Sequence, residues 1–286
     1  MVSMLLILTG CKMEVLDPQG LVAHEEKKLL IIAVILLLII VIPTIIVSCM
    51  VAYKYRASNT KAKYSPNWAH NNLLEAAWWI APIVICAILG TVIWISTHKL
   101  DPYKPLESKV KPVEVQVVSL QWRWLFIYPQ EGIATINYLK VPENTPINFS
   151  LTADSPMNAF QIPQLGGQIY TMSGMKTKLH LIADHKGTYN GRSVSFSGEG
   201  FEGMMFKAHV VSNADFKQWV SNVKKKDHPL TLNVYKKLMH PSTDYKVQTY
   251  SSVRSGLFHT IMMQYMNPKT YKLLNGDSTV KNIEYK

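Results

Sequence analysis

The segment 189-YNGRSVSFSGEGFEGMMFKAHV-210 starts as an alternating run, passes through a Gly-rich loop and closes on a second alternating run. Ser193, Ser195 and Ser197 fall on alternate positions, followed by Phe201 and Met204. Period-two patterning on either side of glycines reads as strand, loop, strand. Loops of this kind, lying between strands and ending on Met, often wrap a metal ion. Here no Cys or His lies between Ser193 and Met204. The loop has the shape for a metal and lacks the side chains.

Working outward, the same grammar extends from Pro112 to about Ser212. "VEVQVVSLQWRWLFIYP" alternates at Val113, Val115 and Val117 before an aromatic cluster. "TPINFSLTAD", "MNAFQIPQL", "TKLHLIAD" and "MMFKAHVV" are further strand candidates between Gly, Pro and Asn. Short strands at this spacing predict an antiparallel sandwich or barrel over 112–212. From Asn213 the chain turns polar and helical, as in "ADFKQWVSNVKKK" and "SGLFHTIMMQYMN". Residues 213–286 carry 12 basic and five acidic side chains, and that difference of +7 supplies most of the net charge of +11. A basic surface of this kind fits anionic lipid or another subunit. Nucleic acid is not expected, because the region is predicted to lie outside the cytoplasm.

The N-terminal third is different. Leu29–Tyr53 contains no charge and is nearly all Leu, Ile and Val. At about 1.5 Å per residue such a helix exceeds the roughly 30 Å of bilayer hydrocarbon. "AAWWIAPIVICAILGTVIWISTH", residues 76–98, is a second uncharged run, with Trp78, Trp79 and Trp94 suited to the interfaces. Two membrane spans are therefore predicted, 29–53 and 73–98. The loop between them, 54–72, holds Lys54, Arg56, Lys61 and Lys63 with no acid before Glu75. That bias makes the loop cytoplasmic, with both chain ends outside and 99–111 a linker into the exported domain. The opening "MVSMLLILTGC" resembles a bacterial lipoprotein signal. The resemblance implies cleavage of 1–10, lipid on Cys11 and an outer segment 11–28; the alternative is an apolar start with an incidental Cys.

The 286 residues hold three Cys, at positions 11, 49 and 86, and mean hydropathy is +0.05. Residues 87–286 thus contain no thiol, which excludes a disulfide framework and any Cys-ligated zinc or iron–sulfur centre there. No Walker loop, G-x-G-x-x-G or HExxH is present. Cys49 and Cys86 read as small apolar residues in lipid.

Two N-terminal helices, an exported sandwich and a helical tail resemble subunit II of the haem–copper terminal oxidases. The stretches that carry the likeness are "YKYRASNTKAKYSPNWAHNNLLEAAWW", "VVSLQWRWLFIYPQEGIATIN" and "MNAFQIPQLGGQIYTMSGMKTKLHLIA". "YKVQTYSSVRSGLFHTIMMQYM" resembles the C-terminal arm of one branch, the cytochrome bo-type ubiquinol oxidases. The resemblance implies a cupredoxin-like domain over 112–212 and a helical arm over 213–286. In the cytochrome c oxidase branch that domain holds two copper ions, on a His and a loop of form C-x-E-x-C-x-x-x-H-x-x-M. Laid on this chain, the first His falls at Asn158, the two Cys at Ser193 and Ser197, and the Glu at Ser195. The second His falls at Phe201, and only Met204 matches. Thiolates hold and bridge such copper; a Ser hydroxyl is hard and stays protonated, and Phe cannot coordinate. The degenerate positions thus imply no cofactor in this chain.

Without copper there is no entry for electrons from cytochrome c, whereas a quinol reaches a membrane subunit through the bilayer. The resemblance therefore implies a non-redox subunit of a proton-pumping ubiquinol oxidase in a bacterial inner membrane, with both termini periplasmic. Haems and the catalytic copper would lie in subunit I, the main partner, with subunits III and IV and lipid as further neighbours. By the same resemblance Glu75 stands near a proton entry, the alternative being a carboxylate that complements the helix dipole. Trp122 and Trp124 match an aromatic patch on an electron path in copper-bearing relatives; here they are expected to be packing residues facing subunit I. Met204 is expected in the core, and His180, His185 and His209 fall on no ligand position. The competing readings are a copper electron-transfer subunit and a free-standing lipoprotein that binds a ligand on a degenerate cupredoxin fold.

Overall fold

A computed structural model describes residues 13–63, 66–67 and 69–275. These form two compact units, residues 25–101 and, separately, the residues before and after them.

The first unit is a helical hairpin. Helix α1 (Leu21–Lys54) starts eight residues before the apolar run, because the charged stretch HEEKK also favours helix. Helix α2 (Asn72–Lys99) is started by Asn71, whose side-chain oxygen accepts from the backbone N–H of Leu73 and Leu74. Both are apolar all round and long enough to cross a bilayer. Glu25 accepts from Lys28 at 2.8 Å and from Lys99 at 3.0 Å, so the start of α1 lies beside the end of α2 and the two run antiparallel. An exposed pair of this kind contributes at most about 1 kcal/mol.

The second unit is a sandwich with an added layer. Its strands are β1 (Val113–Leu120), β2 (Arg123–Tyr128), β3 (Ile133–Ile136), β4 (Tyr138–Pro142), β5 (Ile147–Ala153), β6 (Asn158–Gln161), β7 (Ile169–Thr171), β8 (Thr177–Leu181), β9 (Gly187–Ser193) and β10 (Met205–Val211). The C-terminal arm follows with α3 (Asn213–Lys224), β11 (Pro229–Leu230), α4 (Leu232–Leu238), β12 (Gln248–Tyr250), β13 (Ser252–Val253), α5 (Leu257–Met263) and α6 (Pro268–Asn275). The first sheet runs β12-β3-β2-β1-β5-β8 and the second β4-β10-β9-β6-β7. Most pairings are antiparallel, as expected, but β1–β5 and β10–β4 are parallel. The chain leaves the first sheet at β4 and returns at β5 on the free edge of β1, so it arrives in the same direction.

Alternation along β1 explains the layering. Val115 and Val117 point into the inter-sheet core with Trp124, Phe126, Phe149, Phe160 and Phe206. Val118 and Leu120 point the other way, into a second cluster with Leu230, Tyr235, Tyr250, Leu257, Phe258 and Ile261 of the arm. The first sheet is thus apolar on both faces. The arm is the third layer that covers the outer one, and β12 extends that sheet by pairing with β3.

Residues 13–24 belong to this unit and lie along the sandwich. Gln19 donates to Gln164 O at 2.7 Å and its carbonyl accepts from Asp184 at 2.9 Å, while Glu14 pairs with Arg192 at 3.0 Å. Gly20 makes the approach possible: a Cβ there would sit 2.3 Å from Ile182 O.

A metal-shaped loop held without metal

The residues at the matched copper positions come from two neighbouring strands and the loop between β9 and β10. Asn158 opens β6 and is fully buried. Ser193 ends β9, and its hydroxyl donates to Asn158 Oδ1 at 3.0 Å. The Asn158 amide donates in turn to Ser155 Oγ at 3.1 Å and to Pro156 O at 2.9 Å. Met204 is buried beside them and its carbonyl accepts from the Ser193 backbone at 3.2 Å. The structure therefore brings Asn158, Ser193 and Met204 together. Phe201 does not join them; its half-buried ring packs edge-on against Phe196, centroids 5.6 Å apart. Ser195 contributes a backbone carbonyl to Ser193 at 3.3 Å. Ser197 Oγ is buried with no hydrogen-bond partner among the described residues.

Aromatic side chains hold the loop where a metal would. Trp122 sits at φ +69° in the two-residue turn between β1 and β2, a strained conformation for a bulky residue. That turn places its indole N–H on Ser197 O at 3.1 Å and its ring flat against Gly198 and Gly200. A Cβ on Gly200 would lie 2.4 Å from the indole, so glycine is required for the ring to close on the loop. From the arm, Tyr245 donates its hydroxyl to Gly200 O at 3.0 Å and packs on Gly203. Trp124 Nε1 donates to Met204 O at 3.4 Å from inside the core. Trp124 is completely buried between Phe160 and Phe206. It is a packing residue, but the expectation that it faces another subunit is corrected: β2 is covered on both faces by this chain itself.

The donor set does not fit a copper pair. It comprises an amide and a hydroxyl already bonded to each other, two further hydroxyls, a phenyl ring and one thioether. Among the described residues no group of three or more His, Cys, Asp or Glu could hold a metal ion. Dialysis of the purified protein against EDTA is accordingly expected to leave its thermal midpoint unchanged, and a fall of several degrees would reveal a structural metal. His180, buried on β8, has its ring nitrogen Nδ1 2.7 Å from Asn148 Oδ1; burial, opposed by Glu114, lowers its pKa and favours the neutral ring. His209 is likewise lowered, chiefly by burial and then by Lys140 and Lys207.

Sequence patterns missed a buried carboxylate that accepts from three side chains. Asp154, which is 8% exposed, receives the Tyr235 hydroxyl, the Gln264 amide at 2.6 Å and the Tyr265 hydroxyl at 2.6 Å, all from the arm. Its backbone N–H donates to Ser119 O at 2.8 Å. Ser155 bonds the same carbonyl and also Asn158, so polar contacts run unbroken from the arm to the matched copper positions. Partners 81 to 111 residues apart leave no local signature.

Elsewhere, Glu75 lies in the first turn of α2, half-buried, with no hydrogen-bond or ion-pair partner among the described residues. Cys49 and Cys86 are free and exposed on the helices of the isolated chain. Cys11 and the expected signal 1–10 lie outside the described residues.

Residues 224–269 match the family described as COX Aromatic Rich Motif. That stretch supplies Tyr235, Tyr245, Gln264 and Tyr265, the arm residues just described. Over 260 residues the chain is 52% identical to cytochrome bo(3) ubiquinol oxidase subunit 2 of Pseudomonas aeruginosa, covering 91% of this chain and 78% of that protein. The chain belongs to the quinol oxidase subunit II family. As a quinol oxidase subunit II it is a membrane respiratory protein and one subunit of an oxidase complex. It is also 46% identical to ubiquinol oxidase subunit 2 of Acetobacter aceti, over 93% of this chain and 87% of that one. Among solved structures, the periplasmic domain of subunit II of cytochrome oxidase of Bradyrhizobium japonicum covers 42% of this chain at 23% identity, with a TM-score of 0.40.

Proposed function

We propose that this quinol oxidase subunit II is a non-redox subunit of a proton-pumping ubiquinol oxidase in a bacterial inner membrane, with both termini periplasmic. Two quinols give four electrons and four protons to one O₂, yielding two waters, and the haems and catalytic copper for that reaction reside in subunit I. This chain caps the outer face of subunit I, assists assembly alongside subunits III and IV, and takes no electrons from cytochrome c. The single observation that carries the reading is the Ser193–Asn158 contact. A hydroxyl spent on an amide occupies the position where electrons would enter from a water-soluble donor. A quinol, dissolved in the bilayer, needs no such entry. Gentle solubilisation should recover the chain with haem and with quinol-dependent O₂ uptake. Recovery as a haem-free monomer would overturn the proposal and favour a free-standing lipoprotein.

Within the same reading Glu75 lines a proton entry at the cytoplasmic end of α2, and Cys11 carries lipid. A carboxylate at the start of a spanning helix, with no side-chain partner among the described residues, is costly to retain without a use. Glu75→Gln is expected to slow steady-state turnover severalfold with normal haem content and subunit composition. Unchanged turnover in the fully assembled variant would leave Glu75 as a helix-start acid only.

A further inference from the structure

A cavity of about 510 Å³ opens in the exported unit where the β13–α5 junction of the arm meets the ends of β2 and β8. It shares no lining residue with the 193–204 loop. Lys176, Arg254 and His259 stand on its rim, and no Asp or Glu lines it. None of the three is in an ion pair among the described residues. Lys176 and Arg254 are exposed, so their charges are free to meet a ligand. The floor is apolar, with Ile127 and Phe258 buried at 3% and 6% exposure and Met262 beside them. The volume lies in the range of roughly 300–1,000 Å³ typical of small-molecule sites.

We propose that this cavity binds an anionic amphiphile, its phosphate head on Lys176 and Arg254 and its acyl portion on the half-exposed side chains of Val253 and Met262. Two cations of different form, with no ion-pair partner among the described residues, suit a phosphate: Arg offers a planar fork and Lys a mobile point charge. A bare inorganic anion would meet the rim equally well but leave the half-exposed apolar side chains Val253 and Met262 uncovered, and burying these is where the added affinity arises. Residues 213–286 carry +7 of the chain's net charge of +11, which draws anions toward the arm.

The test uses the full-length chain, in its complex as purified in a neutral detergent, titrated calorimetrically with three probes: dihexanoyl phosphatidate, dihexanoyl phosphatidylcholine and inorganic phosphate. Phosphatidate is expected to bind once per chain, at least tenfold more tightly than either other probe. The double variant K176Q/R254Q should weaken it tenfold or more. Lys178→Gln, two residues along and outside the cavity lining, should leave it unchanged. Equal affinity for inorganic phosphate would overturn the amphiphile in favour of a simple anion site. Absence of phosphatidate binding, or binding indifferent to K176Q/R254Q, would overturn the site altogether.

Discussion

Asp154→Ala is expected to cost about 3 kcal/mol or more and to release the C-terminal arm from the sandwich. The substitution leaves two phenol hydroxyls and one amide, all buried or partly buried, without their acceptor. Each stranded donor costs roughly 1–3 kcal/mol. Burial, and next the nearby Asp154 charge, push the Tyr235 hydroxyl well above its ordinary pKa, so it remains a donor at any physiological pH. Tyr265 is raised for the same two reasons in the same order. For a unit of this size the loss corresponds to a fall of roughly 6–12 °C in the thermal midpoint. Limited proteolysis should then cut within residues 225–275 at protease levels that leave the parent chain intact. Asp154→Asn, which keeps one acceptor oxygen, should fall between the two. An unaltered midpoint and cleavage pattern for Asp154→Ala would show that the arm is held by its apolar face alone.

Trp124→Ala should be as damaging, by about 3–5 kcal/mol, through loss of a large buried aromatic and through the cavity it leaves, which the surroundings fill only in part. The indole touches Phe160 and Phe206 edge-on and closes the loop through Met204 O. Trp124→Phe keeps most of the packing and removes only the N–H. In assembled oxidase it is expected to leave quinol-dependent turnover unchanged. A large fall in turnover for Trp124→Phe, at normal haem content and stability, would mean that the indole still carries electrons and would contradict the non-redox role.

The contrast between these residues and the loop shows where sequence reading works. The two long helices were legible because an uncharged apolar run of more than twenty residues has few other stable states. The sandwich strands were legible from period-two alternation, as in Val113, Val115 and Val117. The vacated copper positions were legible because coordination depends on atom type: serine and phenylalanine in place of thiolate and imidazole decide the matter wherever the loop lies. The parallel β1–β5 pairing was not legible, since alternation reports which face a side chain takes and not the direction of the neighbouring strand. Nor was the burial of Trp124, because alternation places Trp124 and Phe126 on one face without stating that Phe160 and Phe206 of the second sheet cover it.

By itself, then, the amino-acid order determined the local states of this quinol oxidase subunit II: which segments suit lipid, which are strands, and that no copper pair can be gripped at Ser193, Ser197 and Phe201. These follow from side-chain chemistry and short-range periodicity, which act within a few residues. Only the tertiary structure decided that the arm forms a third layer, that Asp154 fastens it, and that Trp122 and Tyr245 clamp the loop in the absence of a metal. Those contacts join positions 45 to 111 residues apart. They depend on surfaces that exist only after the sheets have closed.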